Sequence, residues 1–183
     1  MDFVLDLSYE EKDFIQACVN KERWAQKKLY EDHYSMMMAV CLRYASDENE
    51  ALDILHEGFI KVFNHIGKYK PGTSLLSWIK RIMINTAIDQ YRKTSKRRTE
   101  EIAKAQSIDS LEPDVVSALS AREIMESLQH LTPAYRAVFN LYVIEGYSHK
   151  EVADILDITE STSRSNLVKA RNKLKTLLQV RHG

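Results

Sequence analysis

The side chains with the most chemistry to offer fall into three groups. Near the end of the 183-residue chain, Thr162, Arg164, Ser165, Asn166, Lys169, Arg171 and Lys173 are interleaved with Ser163, Leu167, Ala170, Leu174 and Leu177. At helical spacing the second set forms one inward stripe and the first a polar, basic face. Arg164 and Asn166 can make paired contacts with base edges in a major groove, whereas Lys169 and Arg171 suit phosphates. In mid-chain, Arg81, Asn85 and Arg92 fall on a narrow polar stripe bordered by Trp78 and Asp89, after a loop that carries Lys68 and Lys70. Cations for phosphates, an amide for a base and a nearby aromatic suit single-stranded nucleic acid. Asp53, Glu57, Ile60 and Asn64 share the outer face of an earlier helix, and an acidic face of this kind predicts a protein partner.

Helices must position all three groups. Ser8 with Glu11 matches a capping box ahead of Phe14, Ile15 and Val19. A second helix runs through Trp24, Leu29, Tyr30, Met37, Val40, Cys41 and Tyr44, and a third follows Asp47 with Leu52, Leu55, Phe59, Val62, Phe63 and Ile66 inward, ending at Gly67. Pro71 and Gly72 make 68–74 a loop. A fourth helix is expected over 75–93, with Leu75, Ile79, Ile82, Met83 and Thr86 on its buried side. Residues 94–115 have few large apolar side chains and contain Pro113, which reads as a linker. Helices near 116–130, 133–145, 149–156 and 160–179 follow. Ser148 and Glu151 cap the third of these, Ala153 allows a close helix crossing, and Thr159 or Ser161 can cap the last. That pair is a helix-turn-helix pattern. The expected fold is all-α: two small helical domains, 1–93 and 116–183, joined by a flexible linker over 94–115.

Charge follows the same division. Lys plus Arg equals Asp plus Glu at 26 each, but the balance conceals blocks. Residues 47–57 carry −5, residues 61–98 carry +9, residues 99–127 carry −5, and 161–175 hold five basic residues and no acid. Two basic blocks with an acidic stretch between them match two polyanion-binding modules and a solvated connector. Cys18 and Cys41 lie in apolar helical patterns and read as small core residues rather than a disulfide or metal pair. No apolar run approaches the length of a membrane span, and the first residues lack a signal-peptide pattern. The six histidines share no ligand spacing, and neither a nucleophile elbow nor a phosphate loop occurs. No catalytic residue, metal or cofactor is therefore expected.

Asp47-Glu48-Asn49-Glu50-Ala51-Leu52-Asp53-Ile54-Leu55-His56-Glu57-Gly58-Phe59, the stretch Lys68 to Trp78, the helix Trp78 to Asp89, and Leu131-Thr132-Pro133 through Leu174 occur in that order. Over nearly its whole length the chain thereby resembles the extracytoplasmic-function group of bacterial RNA polymerase sigma factors, in the sigma-70 superfamily. The resemblance implies a region 2-like domain over 1–93 and a region 4-like domain over 116–183. It implies docking on the clamp of core RNA polymerase through Asp53, His56, Glu57 and the neighbouring Ile60. It assigns minus-ten reading and melting to Lys70, Trp78, Lys80, Arg81, Asn85 and Arg92, with Asn85 helping to hold a flipped non-template base. It assigns the minus-thirty-five element to Ser161, Thr162, Arg164, Ser165, Asn166, Lys169 and Arg171. The implied partners are core polymerase, promoter DNA as duplex and melted strand, and an anti-sigma factor as regulator, in the bacterial cytoplasm and without membrane insertion.

Four positions depart from the family pattern. His56 stands where Gln is usual and Leu75 where an aromatic is common. Asp157 replaces the Gly of the turn, a position that Asp tolerates better than most residues. Ser163 replaces a buried Val-like residue. The rival class is a helix-turn-helix repressor or activator that binds duplex DNA without polymerase. The acidic face at Asp53 and Glu57 counts against it.

Overall fold

A computed structural model describes residues 2–101 and 121–182. Among these residues every regular element is helical. The chain divides into two compact units, Met1–Cys41 with Ala51–Thr86, and Leu42–Glu50 with Ala87–Gly183.

The first unit is built from α1 (Asp2–Val19), most of α2 (Arg23–Tyr44), α3 (Glu48–His65) and the first half of α4 (Leu75–Glu101). Its core follows the 3–4 spacing of the apolar residues: Leu29, Met37, Val40 and Cys41 from α2, Leu55, Phe59 and Val62 from α3, and Ile79, Met83 and Thr86 from α4 are buried. Thr86 satisfies its hydroxyl on the Ile82 carbonyl at 2.8 Å, so its burial leaves no orphan donor. Gly58 permits the approach of α3 to α4, since a Cβ there would lie 2.2 Å from Met83 Sδ. Cys18 and Cys41 are buried, as read from the pattern, and neither is in a disulfide. Burial pushes the Cys18 thiol up to about 11, with Glu22 adding to the shift, which keeps it an inert core residue.

One element differs from the sequence reading. Helix α1 starts at Asp2, so Ser8 lies inside it rather than at its cap. The S-x-x-E signature is purely local and cannot register that upstream residues already propagate the helix. Trp24 lies at the start of α2 and is 56 % exposed, with its ring 6.1 Å from that of Phe14 and its indole N–H donated to Glu22.

The second unit contains the end of α4, α5 (Ala121–Gln129), α6 (Pro133–Phe139), α7 (His149–Leu156) and α8 (Glu160–His182). Helix α4 continues to Glu101, so residues 94–101, read as the start of a linker, are helical. Lys, Arg and Glu dominate that stretch and are good helix formers, and no Gly or Pro interrupts it. The rest of the expected linker, and residues 116–120 of the next expected helix, lie outside the described residues. Thr132 caps α6, accepting from the Tyr135 N–H at 3.4 Å, with Pro133 at the first helical position. After Phe139 the chain widens into one π-helical turn, Asn140–Ile144, where a continuous helix to 145 was expected. Leu128, Leu131, Ala170 and Leu174 form a core cluster with Tyr135 and Phe139 against it.

Arg136 lies within this unit and is only 2 % exposed. It donates to the carbonyls of Leu128 at 2.9 Å and Gln129 at 2.9 Å in the last turn of α5, and of Leu131 at 2.8 Å just beyond it. It also donates to the Tyr44 carbonyl at 3.0 Å and the Ser46 hydroxyl at 3.2 Å. Desolvation lowers its pKa, and the acidic side chains Glu50 and Asp47 partly offset that shift.

Candidate nucleic-acid interface

The helix-turn-helix is assembled as its sequence pattern predicts. Ser148 accepts from the Glu151 N–H at 3.3 Å while Glu151 accepts from the Ser148 N–H at 2.8 Å, closing the capping box. The Ser148 hydroxyl also donates to the Glu151 carboxylate at 2.7 Å, and with the Ser148 N–H it holds that carboxyl below its usual range. Val152, Ala153 and Leu156 are buried. Asp157 ends α7 in the left-handed region at φ 57°, ψ 49°, and the Ile158 N–H returns to the Ala153 carbonyl at 3.1 Å. Thr159 supplies the cap of α8, accepting from the Thr162 N–H at 3.1 Å.

On α8, Ser163, Leu167, Ala170 and Leu174 turn inward. Ser161, Arg164, Ser165 and Arg171 are exposed, while Thr162, Asn166 and Lys169 are half-buried along the border of that face. Arg164 pairs with Glu160 one turn back, so its guanidinium is pre-oriented along the outer face. Ser163 has no exposure at all and shares a hydrogen bond of 2.9 Å with His149 Nδ1. The His149 ring stacks on Tyr142 at 4.2 Å with 20° between planes. Desolvation, with Arg164 and Arg171 nearby, lowers the His149 pKa, and Glu160 opposes this. The sequence marked Ser163 as a departure without its partner. A hydroxyl at a buried position on an apolar stripe is the signal that a polar group must face it.

In the first unit the loop between α3 and α4 is a defined structure. Residues Ile66–Lys68 make a 3₁₀ turn. Lys70-Pro71-Gly72-Thr73 then forms a turn closed by the Thr73 N–H on the Lys70 carbonyl at 3.3 Å, with Gly72 at φ +87°. Pro followed by Gly at a positive φ is the chemistry of a type II turn. Tyr69 is 5 % exposed and packs its ring 5.8 Å from that of Trp78. Burial raises the Tyr69 phenol above its ordinary value, and its bond to Glu11 acts in the same direction. Lys68 and Lys70 are exposed on the loop, and Arg81 and Asn85 are exposed on α4, with Lys80 half-buried beside them. Trp78 is half-buried against Tyr69, between the core and surface roles its type allows. Arg92, read on the same stripe, belongs to the second unit and donates to the Ile155 carbonyl there.

On α3, Asp53, His56 and Ile60 are exposed, Ile60 at 60 %, and Glu57 pairs with Lys61 at 3.0 Å. An exposed isoleucine flanked by carboxylates is a contact surface of mixed character. Among the described residues no cluster of His, Cys, Asp or Glu has the arrangement to hold a metal ion, and no helix is long and apolar enough to cross a membrane.

Two family models match the chain. Sigma-70 region 2 matches residues 29–97 and Sigma-70, region 4, matches residues 121–174. The ECF RNA polymerase sigma-E factor of Haemophilus influenzae is 24 % identical over 180 residues, covering 90 % of this chain and 95 % of that protein. The ECF RNA polymerase sigma factor SigE of Mycolicibacterium smegmatis is 28 % identical over 157 residues, covering 82 % of this chain and 60 % of that protein. Among solved structures, a sigma factor RpoE crystallised with the anti-sigma factor NepR from Bartonella quintana is 21 % identical, covers 84 % of this chain and 96 % of that one, and has a TM-score of 0.49.

Proposed function

The chain belongs to the extracytoplasmic-function sigma factors of the sigma-70 superfamily, and from that premise we propose how its residues divide the work of promoter-specific initiation. The protein binds core RNA polymerase and directs it to promoters, which it recognises and melts. One observation carries this: a region 2 match and a region 4 match stand in order in one chain. A repressor that acts on duplex DNA alone needs only the second.

In our reading, α3 docks on polymerase through Asp53, His56, Glu57 and Ile60. The α3–α4 loop and the start of α4 melt and read the minus-ten element. Lys70 and Lys80 meet phosphates, Asn85 with Arg81 holds a flipped base, and Trp78 supports the pocket. Unstacking a base costs about a few kcal/mol, which capture of that base offsets. Helix α8 reads the minus-thirty-five element, with Arg164, Ser165 and Asn166 at base edges and Ser161, Thr162, Lys169 and Arg171 toward the backbone. Arg92 joins the minus-ten surface only when it leaves the Ile155 carbonyl. Two weak modules carried on one polymerase gain affinity through effective concentration. The protein performs no covalent chemistry of its own in this scheme, takes no cofactor, works in the bacterial cytoplasm, and has an anti-sigma factor as its regulator. We keep the domain limits 1–93 and 116–183 as functional limits.

Gel filtration with sigma-free core polymerase tests the docking assignment. Wild type co-elutes with the enzyme, and Asp53→Lys/Glu57→Lys does not. A wild-type protein that ignores polymerase yet shifts duplex DNA unaided overturns the reading in favour of the repressor class.

A further inference from the structure

Glu11 reaches across the first unit to the α3–α4 loop. Its Oε1 accepts from the Tyr69 hydroxyl at 2.7 Å and its Oε2 from the Gly72 N–H at 2.9 Å. The two partners lie 58 and 61 residues further along the chain. The Tyr69 hydroxyl also stands 2.5 Å from the Thr73 carbonyl. One carboxylate thus gathers the first residue after the 3₁₀ turn and the apex of the Pro71-Gly72 turn.

The chemistry of the three groups fits a clamp. Gly72 has φ +87°, with nothing within 4 Å of where a Cβ would be, so the apex gains no packing of its own. A charged acceptor on its N–H is the strong kind of hydrogen bond and supplies what packing does not. Tyr69 is buried, and its ring contacts Trp78, so fixing the hydroxyl also fixes the aromatic pair beneath the loop. Lys68 and Lys70 flank Tyr69 and are exposed.

We propose that Glu11 is a positioning residue for promoter melting: by clamping Tyr69 and Gly72 it holds the α3–α4 loop in the shape that presents Lys68 and Lys70 to the strand being opened. This rests on the reading of that loop as the melting loop. Glu11 touches no DNA and acts through the loop.

The phenol has one proton and faces two acceptors, Glu11 Oε1 and the Thr73 carbonyl. A glutamine resolves that competition. Its amide N–H donates to the phenol oxygen, the phenol proton goes to Thr73, and the amide oxygen accepts from Gly72. Glu11→Gln therefore keeps the clamp without the charge, whereas Glu11→Ala removes it.

The test uses holoenzyme made from the full chain and core polymerase, on a duplex promoter fragment identified by mapping the transcript starts of the wild-type holoenzyme. Opening is followed by permanganate reactivity of thymines, and the same fragment carrying a pre-melted bubble serves as control. Glu11→Ala slows opening of the duplex about tenfold, equal to about 1.4 kcal/mol on the barrier. It leaves initiation from the bubble, and co-elution with polymerase, within about twofold of wild type, and Glu11→Gln restores duplex opening. Duplex opening at the wild-type rate in Glu11→Ala overturns the proposal. Equal loss on duplex and bubble also overturns it, because that marks a general structural defect. Lys68→Ala/Lys70→Ala separates the two levels: if it opens the duplex normally, the loop is not the melting loop and the underlying reading fails, and if it is defective while Glu11→Ala is not, the clamp alone fails.

Discussion

In each unit one charged side chain gathers several backbone and hydroxyl groups at once, and the two are opposite in sign. Glu11 in the first unit accepts from a loop that offers an N–H and a hydroxyl. Arg136 in the second donates to three carbonyls at and just beyond the end of α5 and to two further oxygens. Carboxylates serve where donors lack partners and guanidinium where acceptors do. The larger difference is burial. Glu11 is half-buried at the rim, whereas Arg136 is 2 % exposed. Removing a buried donor leaves several carbonyls without water or protein partners, which weakens the fold itself. Removing a rim acceptor lets water replace it, which spares the fold and frees the loop. Depth thus decides whether a charged anchor serves stability or placement.

Arg136→Ala carries the largest expected effect. It should destabilise the second unit by about 3 kcal/mol or more, because bonds to a charged donor are worth about 1.5–3 kcal/mol each and several are lost together. Urea unfolding followed by circular dichroism measures it, and Arg136→Lys should recover little, because an ammonium cannot span five acceptors. Glu11→Ala in the same assay should fall within about 1 kcal/mol of wild type. Equal losses in the two variants would break the comparison.

These two anchors also mark how far the sequence could be read. Periodicity placed the core of α2, α3, α7 and α8 because side chains 3–4 residues apart share a face whatever lies far away. The turn at Asp157, the capping box at Ser148 and the helix-turn-helix were legible for the same reason: their causes lie within a few residues. Glu11 was read as a cap because its true partners sit about sixty residues on. Trp24 was placed correctly in a helix, its face left open, and the π-helical turn after Phe139 left no local mark. The polar face of α8 was visible, whereas the His149–Ser163 bond that sets its inner side joins two helices across 14 residues.

That bond offers a test of intermediate size. Ser163→Ala leaves His149 Nδ1 without its partner and should cost about 1 kcal/mol in urea unfolding. It should also loosen α8 and weaken minus-thirty-five binding by about tenfold or less, as the same energy implies. The pH dependence has a definite sign. The folded state lowers the His149 pKa, so between the unfolded value near 6.5 and the lower folded value the unfolded chain binds more protons. The contribution of His149 to stability is therefore flat above pH of about 6.5 and declines as pH falls through that window. His149→Phe keeps the ring against Tyr142 but cannot titrate, so its thermal midpoint should lose less on acidification than that of wild type. Identical acid limbs would remove His149 from the account of how α8 is held.

The smallest effect concerns the turn rather than an anchor, and it runs the other way. Asp157 occupies the left-handed region at φ 57°, ψ 49°, where glycine pays no steric penalty for a Cβ. Its backbone N–H already bonds to the Ala153 carbonyl, which Gly would keep. Asp157→Gly should therefore stabilise the second unit, by about 0.5–1 kcal/mol once the extra freedom of Gly in the unfolded chain is deducted. A rise of a few degrees in thermal midpoint, with DNA affinity unchanged, is the expected result. A fall would mean that the carboxylate at 157 makes a contribution larger than the strain of its backbone. The turn between α7 and α8 would then depend, like the α3–α4 loop, on a charged side chain and not on backbone geometry alone.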